Sequence, residues 1–162
     1  MIFITVGTTN KGFDRLLSKC DEIAERSGLV FFAQTGNSGY KPKHFDYKQW
    51  LSQTDMLIKY QEAAAFLVHG GFGTLSEVLS TKKPVVVVPR SRKDEEAVNN
   101  QGDICRKLDQ MGYVKCVEDI ERLSGVLSNI GDLRLVPYEL ESDIPSIVKD
   151  HVNTLRIKIK KT

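Results

Sequence analysis

A chain of 162 residues, 41% of them apolar and with a formal net charge of +2, is long enough for one domain with a full core. The near balance of charge gives no reason to expect a nucleic-acid partner. No apolar run reaches the roughly 20 residues of a membrane helix, and the apolar N-terminus is too short and lacks the basic flank of a secretion signal.

In chain order, residues 2–6 read as a first strand that ends at Gly7-Thr8-Thr9. Phe13, Leu16, Leu17, Cys20, Ile23 and Ala24 recur at helical spacing, and Gly28 is the expected stop. Residues 29–33 form a second apolar run. Residues 34–49 read as a long, turn-rich loop with room for a short strand. Thr54 is the expected cap of a helix running to about residue 64, followed by a buried strand that ends at Val68.

The segment His69-Gly70-Gly71-Phe72-Gly73-Thr74-Leu75-Ser76-Glu77 then joins that strand to a helix expected over residues 75–80. Glycines there let backbone pass close to a bulky group, and a helix start offers unpaired N–H groups and a positive dipole end. Together these make an anion site, typically for phosphate. Thr74 and Glu77 also fit a capping box, in which Glu77 only caps the helix. The spacing matches neither a Walker loop nor a dinucleotide fingerprint.

Residues 85–88, four valines, predict a central strand. A charged loop over residues 91–96 follows. Val98, Gln101, Ile104, Cys105, Leu108 and Met111 mark a helix closed by Gly112, residues 113–117 a last strand, and residues 118–127 another helix. Cys20, Cys105 and Cys116 have no metal spacing and suit reduced thiols of a cytoplasmic protein, the first two on apolar helix faces. The alternation predicts an α/β fold, a Rossmann-like parallel sheet with helices on both faces. The loops at residues 7–12, 69–74 and 89–96 all follow strands and should gather at one edge, where such sheets bind ligands. Residues 1–130 are read as this domain and 131–162 as a C-terminal extension. In the extension, Ile144, Ile147, Val148, Val152, Leu155 and Ile159 form an apolar helical stripe backed by lysines. It suits packing on its own domain or a partner, and less well an anionic membrane surface.

His69-x-Gly71-x-Gly73-Thr74-x-x-Glu77, Lys83-Pro84, Val86-Val87-Val88-Pro89-Arg90, Glu95 and Asn100-Gln101 resemble the donor-binding, C-terminal half of family 28 glycosyltransferases of the GT-B fold. Ile4-Thr5-Val6-Gly7-Thr8-Thr9, Phe13-Asp14, Gln34-x-Gly36 and Tyr40-x-Pro42 are similar to the soluble catalytic subunit of two-part members. In eukaryotes these extend dolichol-linked sugar. In bacteria they serve exopolysaccharide or capsule assembly, and the short length fits the bacterial form better. The resemblance implies an inverting hexosyltransferase, β-1,4 in linkage. It would take a UDP-sugar donor and a lipid-linked sugar acceptor, and work at the membrane through a membrane-attached partner subunit. No metal cofactor is expected, because fixed amides and the helix dipole stabilise the departing UDP. The apolar surface left without a partner leaves homodimerisation of the isolated chain open.

By the same resemblance, Gly70, Gly71, Phe72, Gly73 and Thr74 hold the diphosphate, and Glu77 accepts from the ribose hydroxyls. Asn100 and Gln101 contact the hexose, and Gly7, Thr8 and Thr9 face the cleft. Glu95 belongs to the donor motif, and Arg90 either approaches the nucleotide or makes a surface ion pair. Asp14 is a candidate general base, set against a carboxylate that merely suits a helix start. His69 is expected to shape the site rather than to transfer a proton. Glu96 stands where many relatives carry histidine. That departure motivates the alternative of a nucleotide-sugar-binding module without catalysis.

Overall fold

The computed structural model describes residues 1–90 and 101–138. Among these residues six strands form one all-parallel sheet: β1 (Ile2–Thr5), β2 (Phe31–Gln34), β3 (Asp46–Lys48), β4 (Ala65–Val68), β5 (Val85–Val87) and β6 (Lys115–Cys116). Their order is β3-β2-β1-β4-β5-β6. In register, Ile2 of β1 pairs with Phe31 on one side and Ala65 on the other, and Val68 of β4 pairs with Val87. The chain turns outward in both directions from β1. The loops after β1 and β4 therefore part and leave a crevice at the carboxyl edge.

The apolar runs are strands because both faces of the sheet are covered. Alternate side chains go to opposite cores. Ile2 and Ile4 meet Leu16, Leu17 and Cys20 of α1 (Asp14–Arg26), with Leu123 and Leu127 of α5 (Leu123–Ser128). Phe3, Phe66 and Val87 meet Tyr60 of α2 (Gln53–Glu62), Leu75 and Val78 of α3 (Phe72–Ser80), and Cys105 of α4 (Gln101–Gln110). Cys20 and Cys105 are buried free thiols, as their helical positions require.

Several boundaries differ from the sequence reading. The first helix ends at Ser27, whose N–H and hydroxyl both bond the Ile23 carbonyl, so Gly28 is not the stop. Ser52 rather than Thr54 caps α2, its Oγ accepting from Asp55 N at 3.1 Å. A 3-10 turn, Ile120–Arg122, precedes α5 where one continuous helix was expected. The apolar stripe at residues 144–159 lies outside the described residues.

Asp21 of α1 gave no sequence signal. It is buried and accepts from the Tyr40 hydroxyl (2.9 Å), His44 N (2.8 Å) and Lys43 N, tying residues 40–44, which lead into β3, to that helix. Burial alone would raise its pKa. The hydrogen bonds from His44 N, Tyr40 and Lys43 N outweigh that and hold it below the ordinary carboxylate value.

Candidate functional site

A cleft of about 1020 Å³ opens at the carboxyl edge of the sheet, over β1, β2 and β4. Thr5 and Gln34 form its floor, with the Thr5 hydroxyl donating to Gln34 Oε1 at 2.6 Å. One wall is the loop Gly7-Thr8-Thr9, and the facing wall is the start of α3 with His69, Gly71, Phe72, Gly73, Thr74 and Glu77. Trp50, Met56 and Leu57 supply an apolar rim before and along α2.

The helix start differs from a capping box. Gly71 is the N-cap, Thr74 lies inside the first turn, and Glu77 falls in the second. The first backbone bond of α3 runs from Leu75 N to the Gly71 carbonyl at 3.0 Å. The N–H groups of Phe72, Gly73 and Thr74 therefore have no intrahelical acceptor. Among the described residues no side chain caps them. Three donors and the positive end of a nine-residue helix thus border the cleft. The side chain of Glu77, freed from capping, accepts instead from the Tyr60 hydroxyl at 2.7 Å.

Two of the glycines are explained by His69. Its ring lies against both walls: a Cβ on Gly7 would come within 2.4 Å of the imidazole, and one on Gly71 within 2.2 Å. Gly7 also adopts a φ of +76°, which side chains disfavour. Gly73 is different, since among the described residues a Cβ there meets nothing within 4 Å. None of them demands glycine at that helical position, where alanine is normally preferred by about 0.5–1 kcal/mol. Gly73→Ala should therefore leave the protein as stable or slightly more so, while weakening nucleotide binding several-fold by blocking close approach. Thermal unfolding and titration with UDP measure the two effects, and unchanged affinity would remove Gly73 from the site.

His69 is 7% exposed. Burial and the neighbouring Arg90 guanidinium push its pKa down to about 4, and the Thr5 carbonyl offsets only part of this. Its Nδ1 has no hydrogen-bond partner among the described residues. The ring is thus a neutral wedge between the two walls. Because the unfolded chain binds this proton below about pH 6.5 and the folded chain does not, stability is complete above that value. It should fall as pH drops from about 6.5 to 4, by up to about 3 kcal/mol from this residue. Unfolding in urea across that range should show the slope, and His69→Asn should flatten it.

The other sequence candidates lie elsewhere. Arg90 does not line the cleft. Its guanidinium is buried and donates to the carbonyls of Val6 (2.7 Å), Lys11 (3.1 Å) and Gly12 (2.6 Å), above the Phe13 ring. Through these bonds it clamps the first loop. Gln101 Oε1 accepts from Arg90 N at 3.1 Å, and Gln101 packs with Cys105 against Gly70, which is likewise outside the cleft lining. Asp14 opens α1, and its Oδ1 accepts from Gly39 N at 2.9 Å, holding the loop after β2. Glu95 and Asn100, with Glu96, fall outside the described residues.

Tyr60, Lys83, Trp50 and Leu57 line the cleft without having been read as site residues. Lys83 is not available to a phosphate: its Nζ donates to the carbonyls of Tyr60, Gln61 and Ala63 at 2.7–2.8 Å, closing the C-terminus of α2. The contacts of Tyr60 and Lys83 join positions 17 to 23 residues apart, so no local pattern announces them.

Solved structures share this fold. A glycotransferase of kitacinnamycin superposes with a TM-score of 0.60 at 20% identity, over 80% of this chain and 34% of its own. MurG of Acinetobacter baumannii gives 0.56 at 19%, over 79% and 40%. The glycosyltransferase VinC, solved in complex with dTDP, gives 0.54 at 18%, over 80% and 32%. The chain thus spans 32–40% of the length of these structures. No curated protein matches it. The model of the glycosyltransferase family 28 C-terminal domain, however, matches residues 1–155, and by that match the chain belongs to glycosyltransferase family 28, as its C-terminal domain.

Proposed function

We propose that this domain is the donor half of an inverting hexosyltransferase that takes a UDP-sugar. The observation that carries the reading is the uncapped start of α3 bordering the cleft, with Glu77 one turn further along the same helix. The diphosphate would accept from the N–H groups of Phe72, Gly73 and Thr74, and Glu77 would accept from the ribose hydroxyls. As the glycosidic bond breaks, negative charge grows on the diphosphate, where those donors already point. This uses the protein's own dipoles and calls on no metal. The VinC complex adds support, since dTDP is also a pyrimidine nucleoside diphosphate.

The acceptor in this reading is a lipid-linked sugar of polysaccharide assembly, joined in a β-1,4 linkage. A membrane-attached partner subunit completes the cleft and brings the domain to the cytoplasmic face of the membrane. The general base then comes from the partner, because Asp14 is engaged with Gly39 and His69 is buried and neutral. Co-expression with the membrane subunit and incubation with labelled UDP-hexose and a polyprenyl diphosphate sugar tests this. Label should move to the lipid phase only with both chains present. A stable complex that binds UDP yet transfers nothing would favour a binding module instead.

A further inference from the structure

Resting on the UDP reading, we propose that Tyr60 is a positioning residue that aims the Glu77 carboxylate at the ribose and so sets discrimination between ribose and deoxyribose. The two residues are 17 positions apart, on α2 and α3, yet the Tyr60 hydroxyl donates to Glu77 Oε2 at 2.7 Å beside the cleft. Glu77 is otherwise an exposed helix residue, and its side chain makes no other hydrogen bond among the described residues. A glutamate in that setting samples many rotamers. Holding one oxygen fixes the plane of the carboxylate and leaves Oε1 as the acceptor for a ligand.

The donor is itself rigid. The Tyr60 ring is 8% exposed, with its edge against Phe3 (centroids 5.8 Å apart) and Phe66 (5.5 Å). Its backbone carbonyl accepts from Lys83 Nζ at 2.8 Å, which fixes the end of α2 that carries it. Burial, then the bond to Glu77, raises the phenol's pKa, so it stays a proton donor at any working pH. The core of the sheet thus orients a surface carboxylate through one hydroxyl.

The test is titration of the full chain with UDP and with 2′,3′-dideoxy-UDP, for the wild type, Tyr60→Phe, Glu77→Ala and the double variant. Tyr60→Phe keeps the ring and leaves Glu77 solvated, so the fold survives. The wild type should prefer UDP to the dideoxy form. Tyr60→Phe should lose about tenfold for UDP and nothing for the dideoxy form, and should have no further effect once Glu77 is alanine. Equal losses for both nucleotides would make Tyr60 merely structural, and an unchanged UDP affinity would remove it from recognition altogether; either overturns the proposal while leaving the UDP reading intact. A wild type that binds both nucleotides equally would overturn the role of Glu77 and this one with it. A wild type that binds neither, alone and together with the membrane subunit, would overturn the donor-half reading from which both follow.

Discussion

Arg90→Met should lower the unfolding free energy by about 3–5 kcal/mol, with the first loop released from the sheet. The side chain is 3% exposed and holds three carbonyls of residues 6–12, while its main chain is held by Gln101. Methionine fills much of the volume but takes the guanidinium donors from the buried Val6 carbonyl and the half-buried carbonyls of Lys11 and Gly12, and a buried acceptor left unsatisfied costs about 1–3 kcal/mol. Lysine would not substitute, because one ammonium lacks the planar fork that spans Val6 and Gly12 together. Urea unfolding gives the stability, and a loss below about 1 kcal/mol would contradict the clamp. Arg90 also lowers the pKa of His69, so the variant's His69 should titrate closer to the ordinary histidine value by NMR. Binding should weaken as well, since Gly7, Thr8 and Thr9 wall the cleft on the loop that Arg90 holds.

Glu77→Ala should cost UDP binding about 2–3 kcal/mol, roughly 30- to 150-fold, with little change in stability. Two ribose hydroxyls donating to one carboxylate are charge-assisted hydrogen bonds, and alanine is a better helix former than glutamate. What the variant loses in the folded protein is the bond from Tyr60, whose hydroxyl can turn to solvent in the open cleft. Calorimetry on both proteins at one ionic strength gives the comparison. Equal affinities would mean that the carboxylate serves only to satisfy Tyr60.

The strands were readable because a parallel sheet covered on both faces needs unbroken apolar runs. The valines of β5 and the Phe66–Val68 stretch of β4 could be little else. Gathering strand-end loops at one edge follows from parallel topology alone, so the cleft walls at Gly7–Thr9 and Gly71–Thr74 were legible too. Caps were not. Whether a helix opens at Gly71 or Thr74 depends on where β4 releases the chain, and Ser52 and Thr54 are both favourable cap types, so residue type alone separates them only weakly. The loop contacts of Arg90 were not legible for a different reason. Its partners lie at residues 6, 11 and 12, far away in sequence, and an arginine at a strand end looks the same whether it faces a nucleotide or clamps a loop. The Tyr60–Glu77 bond was invisible on the same ground.

The central claim is that the uncapped start of α3 and Glu77 form a pyrimidine nucleoside diphosphate site. Calorimetric titration of the purified chain with UDP, and with ADP under the same conditions, tests it most directly. Saturable, one-to-one binding of UDP with at least tenfold weaker binding of ADP is the predicted result; equal binding of the two nucleotides, or binding of neither by the chain alone and together with its membrane subunit, would contradict it.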